Sequence, residues 1–353
     1  MKPFPRSSFR LHAWAAAALL AGAGASAQAQ SSVQVYGLFD VSVGQFQNAG
    51  GGKFRRLDSG NMTTSYWGVK SSEDLGGNLK AQAQLEGFVL VDAGLAGRVS
   101  GVDAFWARNA WVGLSGDFGS VKLGRSATPL FVSTLVFNPY GDSFGYAPAI
   151  RQYFAAPYGT PVVGDTAWSN ALAYGTPRIG GFSANLLFAM GEHAATAKGN
   201  NIGANAMWFG GPVAVTAAWQ KVKAQGVLGR SISAFPGYES QTAWQLGASY
   251  DLQVTKLFAQ LGSIKTDATA DVTTSNLQLG ASVPVGAGAV LAAVGRSRIE
   301  TQGSSTEPRS TMLTLGYDHR LSKRTDVYAI LMHDRYTALA NGNTFALGLR
   351  HTF

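Results

Sequence analysis

The residue types that could carry out catalysis are few and dispersed in this chain. Asp117-Phe118-Gly119 spells a kinase metal-binding tripeptide, but no glycine-rich phosphate loop precedes it. The segment from Gly113 to Asp117 resembles a nucleophile elbow, but its last position is Asp rather than Gly. The five histidines include no His-Glu-x-x-His pair to hold zinc, and the chain has no cysteine. We therefore expect no catalytic site, no metal and no cofactor.

The charged residues point to a different use of polar chemistry. They make up only 14% of the 353 residues, against about 25% in typical soluble domains, whereas 46% of the residues are hydrophobic. The basic residues are scattered singly, and no run of Lys or Arg resembles a patch that tracks phosphates. Nucleic acid is therefore not an expected partner.

The N-terminus has the pattern of a signal peptide. Lys2, Arg6 and Arg10 precede an apolar run from Ala13 to Ala25, which is too short to span a bilayer. Small-residue cleavage patterns end at Ala27 and at Ala29, and we prefer the second, which makes residues 1–29 the signal peptide and 30–353 the mature domain. Its removal takes away three basic residues and no acidic one, which lowers the formal charge from +8 to +5.

Apolar residues then alternate with small or polar ones in segments of about ten residues. In the last segment the apolar face carries Phe345, Leu347 and Leu349, and the opposite face carries Ala346 and Gly348. Residues 242–250 and 276–283 alternate in the same way. Period-two alternation predicts β-strands with two different faces along the whole mature chain.

Three features favour a membrane barrel over a soluble sandwich. The less apolar faces carry Gly, Ala, Ser, Thr and Gln rather than Lys and Glu, and aromatic residues collect at segment ends. Tight turns also alternate with eight longer connections, near 47–60, 90–101, 126–165, 191–200, 224–239, 266–271, 300–309 and 337–343. These eight loops predict an all-β fold, a 16-stranded antiparallel transmembrane β-barrel. The expected strands are 32–46, 61–70, 79–89, 102–116, 119–125, 166–176, 181–190, 201–209, 212–223, 240–250, 254–265, 272–284, 288–299, 310–320, 324–336 and 344–353.

The connection 126–165 is too long for an ordinary loop of a compact domain. It contains eight Phe or Tyr residues and few charges, so it should pack against other residues. We expect it to fold into the barrel as a constriction loop. Its candidate functional residues are Pro129, Leu130, Phe131, Asp142 and Arg151, and exposure at the mouth of the pore is the alternative for Asp142 and Arg151.

Several motifs together resemble the trimeric Gram-negative general porins, particularly the beta-proteobacterial type. They are Ser32–Asp40 (SVQVYGLFD), Trp67–Gly77 (WGVKSSEDLGG) with Leu79 and Lys80, Arg108–Arg125, Pro129–Phe131 and the terminal Phe353. The resemblance covers nearly the whole mature chain. It implies a homotrimer in the cell outer membrane that lets small hydrophilic solutes and ions diffuse passively. It also implies contact with outer-membrane lipid and lipopolysaccharide, and recognition of Phe353 by the outer-membrane assembly machinery.

In this family a ladder of basic wall residues faces acidic residues of the constriction loop, and Arg108 matches a ladder arginine. Counting by twos from Arg108 puts Ala110, Val112 and Leu114 on the same inward face. A rim arginine that contacts lipopolysaccharide is the alternative for Arg108. With a mature excess of +5, we expect weak anion preference.

The sequence departs from the family pattern where other charges are expected. Tyr66 replaces an arginine before the Trp-Gly motif, a second arginine is replaced near Trp168, and the loop reads Asn138-Pro139-Tyr140 instead of Asp-Pro-Phe. We therefore hypothesise a less charged, aromatic eyelet with Tyr66, Trp106 and Trp168. In the alternative these aromatic residues pack under the loop or lie in a girdle at the membrane interface.

Other charges are expected in the lumen because a Lys or Arg facing lipid at the midplane costs about 2–4 kcal/mol. These residues are Lys70, Asp40, Lys122, Lys256, Arg296 and Arg298.

Other functions for a barrel remain open. One is a channel specific for weakly charged or aromatic organic compounds, and another is a barrel-embedded hydrolase. A receptor-transporter would need a plug domain, and the modest loops do not favour an adhesin.

Overall fold

A computed structural model describes residues 31–99, 101–155, 161–191, 199–223 and 235–353. The expected signal peptide at residues 1–29 lies outside the described residues. No helix among the described residues is long and apolar enough to cross a membrane.

The described chain is almost entirely antiparallel sheet. The strands are β1 Ser32–Phe46, β2 Phe54–Ser59, β3 Tyr66–Gly76, β4 Leu79–Leu90, β5 Leu95–Ala96, β6 Asn109–Gly116, β7 Gly119–Ala127, β8 Ala167–Gly175, β9 Phe182–Ala189, β10 Asn201–Gly210, β11 Val213–Val222, β12 Ser240–Asp251, β13 Lys256–Asp267, β14 Val272–Val285, β15 Gly288–Thr301, β16 Arg309–Arg320, β17 Thr325–Tyr336 and β18 Gly342–Thr352. Between β7 and β8 lie helix α1 Pro129–Val136, the short helix α2 Pro148–Ile150 and a π-helical turn Arg151–Ala155.

These strands form a closed barrel of sixteen positions. Each main strand pairs with its neighbour in the chain, and β18 returns to pair with β1 from Leu38↔Thr352 to Gln45↔Phe345. Strands β2 and β3 both pair with β1 and together fill one position. Strand β5 forms only a two-residue pairing with the end of β4. The expected 16-stranded antiparallel barrel is confirmed.

The alternation of side chains along each strand separates the two faces of the barrel. On β12, Ala243 and Gln245 are fully buried on the inner face, whereas Trp244 and Leu246 are about 40% and 46% exposed on the outer face. On β18, Ala346 is buried between the exposed Phe345 and Leu347. The outer face is thus a continuous apolar surface, as a barrel surrounded by lipid requires.

Two strands begin well after the expected residue. The strand expected at 61–70 begins at Tyr66, because the chain leaves the ladder at residues 60–65. There the backbone N–H groups of Met62 and Thr63 donate to the Asp40 carboxylate, at 2.7 and 2.9 Å. These hydrogen bonds take the place of backbone pairing with a neighbouring strand. The strand expected at 102–116 begins only at Asn109.

The strand ends place the constriction loop at residues 128–166, between β7 and β8. The main hydrophobic core lies between this loop and the inner wall of the barrel. From the loop the core takes Leu130, Tyr140, Tyr146, Ile150 and Tyr153; from the wall it takes Ala218, Ala243, Ile264, Leu291 and Ile330. Full burial of each large apolar side chain contributes about 1.5–3 kcal/mol. The loop is therefore a packed layer against one side of the barrel interior.

A row of glycines on the inner wall makes room for this layer. A Cβ atom at Gly280 would lie 2.7 Å from Pro139 Cδ, and one at Gly295 would lie 2.5 Å from Pro148 Cβ. Gly247 and Gly316 have Phe137 and Tyr140 beside them in the same way. Small wall residues at successive strands thus set how closely the loop approaches the wall.

Candidate pore constriction

Arg108 lies at the centre of a polar cluster on the inner face of β3 and β4. Its guanidinium donates to Glu86 Oε2 and stands 3.8 Å from the centre of the Tyr66 ring. Glu86 also accepts from the Tyr36 hydroxyl at 2.6 Å and from the Asn109 amide. The positive charge of Arg108 is therefore compensated by a buried carboxylate at its side.

The inward position of Arg108 does not come from regular alternation. Its backbone N–H donates to the Glu86 carbonyl, although Glu86 pairs with Asn109 in the ladder. Two successive residues thus face Glu86, as in a β-bulge, and the alternation shifts by one residue. Counting from Arg108 was wrong for Ala110, Val112 and Leu114, because Val112 (58% exposed) and Leu114 (45%) lie on the outer face.

Two further cations stand over aromatic rings on the same wall. Lys70 Nζ is 4.7 Å from the centre of the Tyr36 ring, and Lys122 Nζ is 4.3 Å from the Trp111 ring. Neither lysine has a salt-bridge partner among the residues that the structure describes. Rings in these positions attract cations through their quadrupole, so both lysines are held beside aromatic rings, and Glu86 acts on Lys122 from beyond salt-bridge distance.

The constriction loop begins with a well-capped helix. The Thr128 hydroxyl accepts the Phe131 N–H at 3.2 Å, and Pro129 occupies the first helical turn. Leu130 is buried in the core, whereas Phe131 is half-buried and packs on Phe154 with ring centres 5.2 Å apart. Pro129, Leu130 and Phe131 therefore form the start of the loop helix, which is anchored in the core through Leu130.

Salt bridges of Asp165 hold the far end of the constriction loop. Asp165 accepts from Arg98 through both carboxylate oxygens, at 2.8 and 2.7 Å, and from Arg125 at 3.3 Å. Arg98 also binds Asp103 at 2.7 Å. This network links the loop to β7 and to the connection between β5 and β6.

Asp142 is a second carboxylate of the loop, and its charged neighbours are Arg108 and Arg350. Arg350 in turn contacts Thr63 (2.9 Å), Asp318 (2.9 Å) and Asp326 (3.0 Å). Asp142 thus faces basic residues from β18 and from the chain before β6.

Asp40 lies on the inner face of β1 and Arg151 lies in the constriction loop, but both side chains are engaged in contacts within the protein. Asp40 is completely buried and accepts from Met62, Thr63 and the Tyr328 hydroxyl (2.6 Å), so it fixes the break between β2 and β3. Arg151 is 8% exposed and binds Asn48 in the loop after β1 at 2.8 Å. Both side chains hold segments together, and neither presents a free charge to solutes.

The two tryptophans expected at the eyelet lie elsewhere. Trp106 packs on Trp67 at 5.6 Å between ring centres, on the outer face of β3. Trp168 points inward but is fully buried in a cluster with Val163, Leu187 and Val222. The alternatives of a girdle position for Trp106 and a position under the loop for Trp168 describe these residues better.

Of the remaining charges, two were assigned to the wrong face. Arg296 and Arg298 are exposed and alternate with the buried Ser297 and Ile299, so they point outward. Arg298 pairs with Glu300 (3.2 Å) and with Glu307 in the following loop (2.5 Å). The energetic cost of facing lipid at the bilayer midplane does not apply to Arg298, because it is paired with carboxylates near a loop. Lys256 lies on the inner face of β13, with its Nζ 5.3 Å from the centre of the Phe258 ring.

Phe353 completes the ring of strands. Its N–H donates to the Gly37 carbonyl at 3.0 Å and its carbonyl accepts the Gly37 N–H at 3.2 Å. Its ring packs on Phe39 with centres 5.0 Å apart.

Sequence reasoning missed Glu86, Thr63 and Arg350 as residues of this site. Glu86 lies two residues after Gln84 on β4 and therefore shares its inward face, so its position could have been recognised from the alternation. Thr63 lies in a segment expected to be regular strand, and Arg350 meets Asp318 and Asp326 only through the pairing of β16, β17 and β18.

The fold and this site can be compared with known proteins. Residues 15–339 match the Gram-negative porin family. The chain is 33% identical to outer membrane porin protein 32 of Delftia acidovorans over 348 residues, which cover 95% of this chain and 91% of the relative. An outer membrane porin protein of Bordetella pertussis is 26% identical over 401 residues, covering 96% and 98% of the two chains.

Solved structures agree. The anion-selective porin from Comamonas acidovorans superposes with a TM-score of 0.75 at 27% identity, covering 92% of this chain and all of the other. The family and the barrel are those of channels for passive diffusion across the outer membrane. The chain belongs to the Gram-negative porin family and is an outer-membrane porin.

Proposed function

We propose that this porin prefers small anions, and that its preference arises from Lys70 and Lys122 more than from Arg108. The observation that carries the proposal is the pairing pattern on the wall. Arg108 has Glu86 as a direct partner, whereas the two lysines have aromatic rings as neighbours. Lys70 and Lys122 thus place positive charge on the wall, and the loop has half-exposed residues that include Phe131, Val132 and Leu135.

Two further points support anion preference. The mature chain carries a formal charge of +5, since the expected signal peptide holds three of the excess positive charges in the total of +8. One structural relative is described as an anion-selective porin. Local charge at the narrowest point dominates selectivity, so we assign the main effect to the wall lysines.

The proposed assembly is a homotrimer that contacts lipid and lipopolysaccharide and is recognised by the assembly machinery through Phe353. A related fold has been solved in a form described as a trimer. We expect conductance steps in groups of three from each inserted unit.

The test is a planar-bilayer measurement of reversal potential under a KCl gradient. Lys122→Gln should lower the chloride-to-potassium permeability ratio by about twofold, because a unit charge in water contributes about 1 kcal/mol at 4 Å and less beyond. The double variant Glu86→Gln/Arg108→Gln removes a neutral pair and should stay close to the native ratio.

Two controls make the comparison decisive. Arg108→Gln alone should lower the ratio, since Glu86 then lacks its counter-charge, and each variant must keep the native barrel in circular dichroism. A native ratio in Lys122→Gln together with a changed ratio in the double variant would refute the assignment. A cation-preferring native channel would refute anion preference itself.

The arrangement of histidines does not favour the barrel-embedded hydrolase. The ring nitrogens of the three described histidines contact Tyr317, Thr325 and Asn343, at 3.2, 2.9 and 2.8 Å. A hydrolase would need a base oriented by a carboxylate and adjacent to a nucleophile.

A further inference from the structure

A cavity of about 280 Å³ lies between the constriction loop and the wall formed by β4 and β6–β9. It is lined on the wall side by Gln84, Asn109, Trp111, Lys122, Ser126 and Asn185, and on the loop side by Pro129 and Val132. Its volume is just below the roughly 300–1,000 Å³ of drug-sized ligand sites. This space suits one small organic molecule rather than an oligomer.

Some polar side chains that line the cavity have hydrogen-bond partners within the protein, and others have none among the described residues. The amide nitrogens of Gln84, Asn109 and Asn185 donate to Tyr36, Glu86 and Asn205. Lys122 and Ser126 have no hydrogen-bond or ion-pair partner among the described residues, and Ser126 is only 6% exposed. An ammonium without a salt-bridge partner and a buried hydroxyl without a hydrogen-bond partner are groups that a polar ligand would satisfy.

Their positions set the shape of such a ligand. Lys122 and Ser126 are four residues apart on β7, which corresponds to about 13 Å along a strand. A bulge at Arg125 separates them. Because they cannot bind the same oxygen atom, a ligand would place an anionic group at Lys122 and its body along the strand towards Ser126.

The surface between these two ends is apolar and partly aromatic. The Trp111 ring lies beside Lys122, and Pro129, Val132 and Leu187 complete the lining. Rings gain from offset or edge-to-face contact with an indole beyond the area that they bury. A single ammonium suits a monoanion, whereas phosphate sites commonly use arginine forks.

We propose that this cavity is a binding subsite for small aromatic carboxylates on their way through the pore. The carboxylate pairs with Lys122, the ring contacts Trp111 and the apolar face of the loop, and a polar substituent on the far side of the ring reaches towards Ser126. The proposal rests on the proposed function, since it needs an open, anion-accepting channel.

The test uses refolded porin in planar bilayers with KCl and added benzoate, cyclohexanecarboxylate or acetate. We expect benzoate to reduce the single-channel current at lower concentration than the other two monoanions do. Trp111→Leu should raise the half-blocking concentration of benzoate roughly three- to tenfold, as expected for the loss of one aromatic contact. Trp111→Phe, which keeps a ring, should restore most of the effect.

The controls separate the subsite from the channel. Trp111→Leu should weaken the block by benzoate but not the block by acetate, whereas Lys122→Gln should weaken the block by every carboxylate. Lys256→Gln changes a lysine outside the cavity and should leave the benzoate block unchanged. If the native channel prefers chloride but benzoate and cyclohexanecarboxylate block equally, the subsite is refuted and the proposed function stands. If folded barrels conduct no current, both proposals fail.

Discussion

At the scale of single residues, the pairing of a charge matters as much as its presence. Arg108 and Lys122 are both basic wall residues, yet only Arg108 lies against a carboxylate. Asp40 is acidic and points inward, yet its oxygens are used by Met62, Thr63 and Tyr328. The charges that a solute meets are therefore fewer than the inward-facing charges of the sequence.

Asp142 should make the selectivity depend on pH. Burial raises the pKa of its carboxyl more than the charges of Arg108 and Arg350 lower it, so the net shift is upward. Below that pKa Asp142 loses its negative charge, and anion preference should increase. We expect the chloride-to-potassium ratio to rise on acidification from neutral pH, and to begin rising above the ordinary Asp pKa of about 3.9 because the pKa of Asp142 is raised.

Asp142→Asn provides the matched control for this prediction. It should have the higher ratio already at neutral pH and should respond less to acidification. Equal pH responses in the native channel and in Asp142→Asn would assign the effect to other groups.

At the scale of elements, the constriction loop is held by many contacts of different kinds. Tyr140 donates to the Leu291 carbonyl at 2.8 Å, Thr314 donates to the Tyr146 carbonyl at 2.9 Å, and Ala149 N–H donates to Gln278 at 2.7 Å. Ser143 donates to the Asn61 carbonyl at 2.7 Å, which ties the loop to the break between β2 and β3. The loop is thus an interior layer, and we expect its distance from the wall to determine the width of the pore.

A larger residue in the glycine row should narrow the pore. Gly280→Val places a Cβ 2.7 Å from Pro139 Cδ, so the loop must move away from the wall. Overpacking of this kind costs roughly 1–3 kcal/mol of stability. We expect a lower single-channel conductance and a lower thermal midpoint than in the native protein.

Ala281→Val adds similar volume one residue further along β14, on its outer face, and should change neither quantity strongly. A native conductance in Gly280→Val, measured on barrels with native circular dichroism, would show that the loop does not set the pore width.

At the scale of the whole molecule, the two chain ends close the barrel. Eight pairs join β1 to β18, and Phe353 extends them through its two backbone hydrogen bonds with Gly37. Closure removes the free sheet edges that would otherwise pair with other chains. Exposed Leu, Val and Trp side chains then form the outer surface in contact with lipid.

Phe353→Ala tests whether the last residue is an assembly signal or only a packing contact. We expect it to reduce the amount of porin in the outer membrane of living cells while purified protein still refolds. Phe39→Ala removes the same ring contact from the other partner, since the two ring centres are 5.0 Å apart. Equal losses in both variants would assign Phe353 a packing role alone.

The sequence by itself determined the barrel, the number of its strands and the existence of an internal loop. Alternation along segments such as 242–250 is a local property of a strand, and it survives folding because each strand must present one face to lipid. The aromatic content and low charge of residues 126–165 likewise required that this segment be packed.

Only the tertiary structure decided which side chains meet at the constriction. Arg108 turns inward because two successive residues face Glu86, and this shift of alternation has no sequence marker. Trp168 is buried because Val163 and Val222 cover it. The Asp40 carboxylate accepts hydrogen bonds from groups that include the hydroxyl of Tyr328, 288 residues away. Such contacts depend on strand register and on the path of the loop across the barrel, which local patterns do not encode.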